Sequence, residues 1–482
     1  MRILLVSSEL HPYSKTGGLA DMVGALAKSL AAGGHEVGVV TPLYRGLPEK
    51  FPDIKPFDWQ MEVPLGEAHV RGGVMIHEVS ENLRIYFIDH RDFFFRDGLY
   101  QVGGRDFPDN AARFIFFAKA AVHLARFLPW QPELVHAHDW QAGLVPMLIL
   151  DQRLREGWGT APLSCLTIHN LAYQGIFPKE TFELTNLPAD YFNPHGAEFY
   201  GSLNCLKAAI AHSDVITTVS PRYAREILTE ALGCGLDPAL RRRQDALVGI
   251  LNGVDTTEWN PATDLHLRHH FSATRMAGKA LEKQDLQREL ALPAQPAAPL
   301  FGTVTRLADQ KGVDIMLAAL QEMLPAGFQF VLLGSGDPFF ENAFRSLAKS
   351  NALQVAAKIG FDNGLSHRIE AGCDFFLMPS RFEPCGLNQM YSQIYGTIPV
   401  VRRTGGLDDS VTDALDDPKG ADGIKFSDYT SRALAKAIRK ALVLYATPGA
   451  LKRYRRNAMR QDYSWDRTRE EYLRTYRRAF SG

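Results

Sequence analysis

Twice in this chain an apolar run, a polar loop bearing a cation and a helical pattern follow one another. Residues 3–6 lead through Tyr13-Ser-Lys-Thr-Gly-Gly-Leu-Ala20 into a helical pattern over 21–32. Residues 300–305 lead through Arg306-Leu-Ala-Asp-Gln-Lys311-Gly312 into a helical pattern over 313–323. A strand feeding a helix and then a parallel strand crosses over right-handed, so each unit predicts part of a doubly wound α/β fold. Two such halves, each with a cation on its loop, predict two nucleotide-fold domains facing one cleft. A phosphorylated, activated donor is the ligand that arrangement suits.

Gly17 and Gly18 lack Cβ, so the backbone there can approach a ligand and take up positive φ. The following helix then turns free N–H groups toward an anion, and Lys15 adds a full charge. The spacing is neither that of a Walker loop nor Gly-x-Gly-x-x-Gly. A tight turn with no ligand is the plain alternative.

The chain has 482 residues, too many for one ordinary core, so two or three domains are expected. A hydrophobic content of 46% with 22% charged residues is an ordinary globular balance. The formal net charge of -1 gives no overall attraction to nucleic acid or to an anionic membrane. The five cysteines, Cys165, Cys205, Cys234, Cys373 and Cys385, are odd in number and contain no Cys-x-x-Cys. They point to neither a disulfide framework nor a thiolate zinc site, and a cytoplasmic location fits. No run approaches the ~20 apolar residues of a membrane span, and the first apolar run is too short for a signal peptide.

Strands are expected at 2–7, 35–41, 84–88, 134–137, 163–168 and 215–219, with helices at 110–127 and 142–155. The loop over 92–109, rich in Phe, Gly and Asp, reads as a binding loop. The second half repeats the pattern, with compact apolar runs at 300–305, 329–333, 356–360, 375–378 and 398–402. The charged cluster at 241–245 marks the domain boundary. The tail over 451–481 reads as helical and basic; its interleaved acids make a solvated face a better reading than a nucleic-acid arm.

Several constellations could carry chemistry. Arg306 and Lys311 follow a strand, where doubly wound folds place ligands, and offer a planar fork and a mobile charge for phosphate. Gly334-Ser-Gly336-Asp337 reads as a second loop on the same sheet edge. Glu383, in Pro379-Ser-Arg-Phe-Glu-Pro-Cys-Gly386, precedes a helix whose first N–H groups, at Leu387 and Asn388, suit an anion. Its carboxylate can accept sugar hydroxyl hydrogens or stabilise positive charge on a sugar ring; capping the helix is the plain alternative. His136, His138 and Asp139 end one strand and His169 ends another. A metal site would need a third ligand and is disfavoured; Asp139 and His169 read better as hydrogen-bonding groups for sugar or reaction centre.

Taken in order, these residues resemble a known family. The matching runs are Lys15-Thr-Gly-Gly-Leu-Ala-Asp21, His136-Ala-His-Asp-Trp-Gln141, Thr167-Ile-His-Asn-Leu-Ala-Tyr-Gln-Gly175, Leu251-Asn-Gly-Val-Asp-Thr256, Arg306-Leu-Ala-Asp-Gln-Lys-Gly312, Ser380-Arg-Phe-Glu-Pro-Cys-Gly-Leu387 and Arg403-Thr-Gly-Gly-Leu407. They look like bacterial glycogen synthase and plant starch synthase. The resemblance implies a GT-B fold, an α/β architecture of two Rossmann-like domains and a deep interdomain cleft. It implies a first, glucan-acceptor domain over 1–245, a nucleotide-sugar domain over 246–456, and a helix within 457–482 crossing back to the first domain. It also implies a glycosyltransferase that moves glucose from ADP-glucose to the non-reducing end of an α-1,4-glucan such as glycogen, with retention and release of ADP. No metal or other cofactor is expected, and the sequence leaves open whether the chain forms a homo-oligomer.

By matching motifs, Lys15, Gly18, Arg306 and Lys311 should bind the diphosphate, with backbone help from Leu387 and Asn388. His169 and Glu383 should hold the donor glucose, and Asp139 should lie near the reaction centre or acceptor. Phe361 falls where the family sets an aromatic against adenine. Gly17, Asp21, Asn252, Gly336 and Tyr391 complete the implied donor-binding set. Many related retaining transferases carry a second Glu where this chain has Tyr391, so the ribose contact must be made otherwise. Two rivals remain. A glucan phosphorylase would need pyridoxal phosphate and a much longer chain. A non-catalytic glycogen-binding protein would not need the phosphate cluster.

Overall fold

The computed structural model describes residues 1–481. The chain divides into two compact units: Met1–Val219, Ala224–Gly253 and Trp465–Gly482 form the first, and Ser220–Tyr223 with Val254–Ser464 form the second. The chain thus changes unit after Gly253, later than the charged cluster at 241–245. That cluster instead begins in the last turn of the short helix Asp237–Arg242 of the first unit and runs into the turn Gln244–Ala246.

Among the described residues the first unit holds a nine-stranded sheet. Its order is Leu247–Gly249, Val215–Thr218, Leu163–Ile168, Leu134–His138, Arg2–Val6, Glu36–Pro42, Leu83–Asp89, Ala68–Ser80 and Lys55–Leu65. Every pairing is parallel until the last two strands, which add an antiparallel hairpin to one edge. Ile3, Leu4, Leu5 and Val6 are all fully buried, as befits a parallel strand covered on both faces. The chain runs from Arg2–Val6 to one side, then returns to place Leu134–His138 on the other side of that first strand. This is a topological switch point, where the loops after two neighbouring strands splay apart and leave a crevice.

Among the described residues the second unit holds a sheet of six parallel strands in the order Val355–Ile359, Gln329–Gly336, Leu300–Leu307, Phe375–Met378, Ile398–Arg402 and Ile424–Phe426. Its switch point lies between Leu300–Leu307 and Phe375–Met378. Phe301, Phe328 and Phe375 pack beneath it with ring centroids 4.8 and 4.9 Å from Phe301.

The basic tail is two helices, Pro448–Ala458 and Trp465–Ser481, in place of one continuous helical run. Its arginines are partly structural: Arg455 donates to the buried Asp374 at 2.6 Å. The last helix belongs to the first unit, where Ser29 Oγ donates to the Trp465 carbonyl at 3.2 Å and Tyr472, Leu473 and Tyr476 are buried. Burying Leu473 alone contributes roughly 2 kcal/mol. Among the described residues no helix is long and apolar enough to cross a membrane.

Candidate active site

In the first unit the loop after Arg2–Val6 carries Lys15, and the loop after Leu134–His138 carries Asp139. These are the two strands of the switch point. The helix begins at Gly18, three residues before the expected start. Gly17 is extended, at φ -159, so the glycine pair does not serve a left-handed turn. What the two glycines supply is room: a Cβ on either would meet nothing within 4 Å. Lys15 Nζ pairs with Asp21 at 2.7 Å, so the sequence-predicted donor contact Asp21 is here the counter-ion of Lys15.

The carboxylate of Glu9, which the sequence analysis passed over, organises this loop. It accepts from the Thr16 N–H at 2.6 Å, the Gly17 N–H at 3.2 Å and the Tyr100 hydroxyl at 2.8 Å. Gly17 N–H is therefore committed to Glu9. Tyr100 comes from the long loop over 92–109, itself held by Arg96 on Asp109 at 2.6 Å and by the buried Arg113 on the Phe93 carbonyl at 2.6 Å.

Asp139 has φ 56, a left-handed conformation that costs a non-glycine residue of order 1–3 kcal/mol. The turn aims its carboxylate back at the neighbouring strand end, where Oδ1 accepts the His169 N–H at 2.7 Å. Burial pushes its carboxyl up to about 7, against the pull of the His169 and Asn170 N–H groups. His169 Nε2 lies 3.1 Å from His138 Nδ1, and burial lowers the His169 imidazole to about 3. His136 is engaged by Tyr476 at 2.8 Å and Thr167 at 2.6 Å. Among the described residues no group of three or more His, Cys, Asp or Glu has metal-holding geometry. Asn252 is buried near the end of the unit, with Oδ1 lacking a hydrogen-bond partner.

In the second unit Arg306 is still on the strand Leu300–Leu307, and Lys311 ends the short turn Asp309–Lys311 that follows. Gly312 then takes φ 67 beneath Pro379, whose carbonyl oxygen a Cβ would strike. Among the described residues Arg306 reaches only Gln310, at 3.4 Å, and it stays exposed. Lys311 Nζ donates to Glu383 Oε2 at 2.7 Å, and Ser380 Oγ donates to the same oxygen at 2.9 Å. Glu383 Oε1 takes no hydrogen bond among the described residues.

Glu383 therefore does not cap the next helix, Asn388–Ile394, whose start has no side-chain cap. That helix begins two residues later than Gly386, and the Asn388 side chain is spent on the Val304 carbonyl at 2.8 Å. The Arg-Thr-Gly-Gly run gains a physical reason. Gly405, at φ 43, lies against the Glu383 carbonyl where a Cβ would collide, and Gly406 N–H donates to that carbonyl at 3.1 Å.

Gly334 and Gly336 are strand residues, not a loop, because Gln329–Gly336 runs alongside the extended end of Leu300–Leu307. Glycine is needed there because that neighbouring backbone crowds any Cβ. Gly336 N–H is committed to Glu341 at 3.0 Å, which argues against its predicted role as a ligand contact. Phe361, after Gly360, is 81% exposed and so is no core residue. Tyr391 lies flat on Trp259, with centroids 3.7 Å apart and planes at 2°.

Sequence reasoning thus located the four loops at the two switch points and missed Glu9, Tyr100 and Ser380. Those three are ordinary residue types whose partners are set only by the fold. The one available signal was place in the chain: Glu9 shortly before the Lys15 loop, Tyr100 within the loop over 92–109, and Ser380 within the run that holds Glu383.

Residues 2–242 match the starch synthase catalytic domain family, and residues 287–460 match the glycosyl transferases group 1 family. The chain is 47% identical over 479 residues to a glycogen synthase of Anaeromyxobacter dehalogenans (strain 2CP-C), covering 99% of both chains. It is 42% identical over 480 residues to glycogen synthase 2 of Geobacter sulfurreducens, again covering 99% of both. Among solved structures, the catalytic domain of starch synthase IV from Arabidopsis thaliana, bound to ADP and acarbose, superposes with a TM-score of 0.90 at 33% identity, covering 100% of this chain and 99% of that one. Sucrose-phosphate synthase from Thermosynechococcus elongatus shares the fold, with a TM-score of 0.60 at 19% identity and coverage of 100% and 99%. With two doubly wound units of GT-B type and full-length similarity of this strength, the chain belongs to the glycogen synthase and starch synthase family of glycosyltransferases.

Proposed function

We propose that this glycosyltransferase moves glucose from ADP-glucose to the non-reducing 4-hydroxyl of an α-1,4-glucan, with retention, and releases ADP. The observation that carries the reading is positional. In each unit the suspected groups sit on the loops after the two strands that flank the switch point: Lys15 and Asp139 in one, Lys311 and Glu383 in the other. The starch synthase IV relative was solved with ADP and acarbose, a nucleotide and a sugar-like ligand, which supports the same ligand classes here.

Charge dictates the division of labour. As the glucose–phosphate bond breaks, negative charge grows on the leaving diphosphate and positive charge on the sugar ring. Arg306, Lys311 and Lys15 neutralise the first, with the N–H groups of Leu387 and Asn388 as further donors. Glu383, with Oε2 already held by Lys311 and Ser380, turns Oε1 to the sugar and stabilises the second. His169 and Asp139 hold hydroxyls at the sugar and acceptor. Phe361 offers its exposed ring to the adenine. With these cations in place the transfer needs no metal. The free cysteines suit a reducing cytoplasm.

The test is nucleotide release with glycogen as acceptor, from ADP-glucose and UDP-glucose in parallel, each with EDTA and with magnesium. The reading expects faster release from ADP-glucose, insensitive to chelator. Preference for UDP-glucose, or loss of activity in EDTA restored by a divalent ion, would count against it.

A further inference from the structure

His138 is buried with no exposed atom to offer a ligand, yet it touches a proposed ligand-contacting group. Its Nδ1 lies 3.1 Å from His169 Nε2, and its own Nε2 has no hydrogen-bond partner. A bond between two imidazole nitrogens needs one N–H and one lone pair, so the two rings constrain each other's tautomers. Burial holds both below their ordinary basicity, which keeps both neutral.

Two arrangements satisfy the bond. If His169 donates from Nε2, His138 accepts at Nδ1 and must carry its proton on Nε2, as a buried N–H without an acceptor. If His138 donates from Nδ1, its Nε2 is a bare lone pair. Orphaned buried N–H groups are rarer than unfilled acceptors, so the second arrangement is favoured.

The neighbouring ring supports a wired cluster. His136 packs against His138 with centroids 4.1 Å apart and planes tilted by 32°. Thr217 Oγ1 donates to the Leu166 carbonyl at 3.2 Å, so it accepts from Thr167 Oγ1 at 2.6 Å. Thr167 then accepts from His136 Nε2 at 2.6 Å, leaving His136 Nδ1 to accept the Tyr476 hydroxyl at 2.8 Å. The chain ends on a carbonyl, which can only accept, so its direction is set. It begins on Tyr476 of the last helix, so that helix pins the ring against which His138 lies.

We infer that His138 is a positioning residue that locks His169 as its Nδ1–H tautomer, so that His169 meets its ligand as a hydrogen-bond donor. The inference rests on the proposed role of His169 at the sugar, and it deepens that role. His169 has no other side-chain hydrogen bond among the described residues, so Nδ1 is the ring nitrogen left for a ligand. A donor there selects an acceptor atom, such as a sugar hydroxyl oxygen. The backbone N–H of His169 meanwhile serves Asp139.

The test uses the full-length, ligand-free protein labelled with nitrogen-15 in its histidines. Two-bond proton–nitrogen correlations report each ring's tautomer, with assignments from His136→Asn, His138→Asn and His169→Asn spectra. The expected pattern is Nε2–H for His136 and Nδ1–H for both His138 and His169. A neutral imidazole in water prefers Nε2–H, so the reversal at His138 and His169 is diagnostic. Nε2–H at His169, or averaging between its tautomers, overturns the proposal whatever the enzyme's donor proves to be. As a second measurement, His138→Asn can present an amide N–H near the place of Nδ1, whereas His138→Leu cannot. Turnover should survive in the first and fall in the second at matched melting temperature. Equal losses in both variants overturn the positioning role.

Discussion

The ammonium of Lys311 lies 2.7 Å from the carboxylate of Glu383, two residues separated by 72 positions and brought together by neighbouring strands at the switch point. The Glu383 side chain is only 7% exposed and that of Lys311 20%. The pair therefore interacts with little solvent screening. Both groups are proposed to act on opposite charges of one breaking bond, and their contact sets the spacing at which they do so.

Lys311→Ala removes charge that acts mainly as the diphosphate departs. Turnover should fall about 100-fold or more, the scale of lost transition-state electrostatics. The substitution also strips a buried carboxylate of its cation, which costs roughly 1–3 kcal/mol. Melting temperature should drop while far-ultraviolet circular dichroism stays native. An effect confined to the Michaelis constant for glycogen would refute the role.

Glu383→Gln separates charge from hydrogen bonding. The amide can still accept from Ser380 and Lys311, so the fold should hold, but it cannot offset positive charge on a sugar ring. Turnover should be largely lost while calorimetry still shows ADP binding. Turnover near wild type would remove Glu383 from the chemistry.

Much of the fold was legible because parallel strands buried on both faces leave unbroken apolar runs, as at Ile3, Leu4, Leu5 and Val6. The edge hairpin Lys55–Leu65 and Ala68–Ser80 was missed, although Trp59, Met61, Val63 and Leu65 alternate at the strand period. Pro64 inside the run, and the irregular pairing between Phe57 and Gln60, masked the signal. Glycine misled twice. Gly18 reads as a breaker yet starts a helix, and Gly334 and Gly336 read as loop yet extend a strand. At the candidate site, motif spacing singled out Lys15, Asp139, Lys311 and Glu383. The pairing of Glu383 with Lys311 and the bracing by Glu9 depend on strand order, which no local pattern encodes.

Asp139 gives a pH signature. Its folded carboxyl titrates near 7 against an ordinary 3.8, so between those values the folded protein holds more protons than the unfolded chain. Stability must then fall as pH rises through that window and level off above it, by an amount on the order of a few kcal/mol. Asp139→Asn cannot ionise. Its melting temperature relative to wild type should climb from low pH toward neutrality and then plateau. A pH-independent difference would contradict the buried, raised carboxyl.

Phe361→Ala should weaken ADP binding several-fold, at the low end of the ~1–3 kcal/mol measured for base stacking. Ribose 5-phosphate binding should be nearly unchanged. Because Phe361 is 81% exposed, melting temperature should hardly move. Equal losses for both ligands would reject the stacking role.

The most direct test of the central claim follows labelled glucose from ADP-glucose into glycogen and then digests the product with an exo-acting enzyme that releases maltose from non-reducing α-1,4 ends. The account predicts that the label enters glycogen in step with ADP release and is recovered as maltose. Label recovered as free glucose, or label in glycogen that resists the digestion, would contradict it.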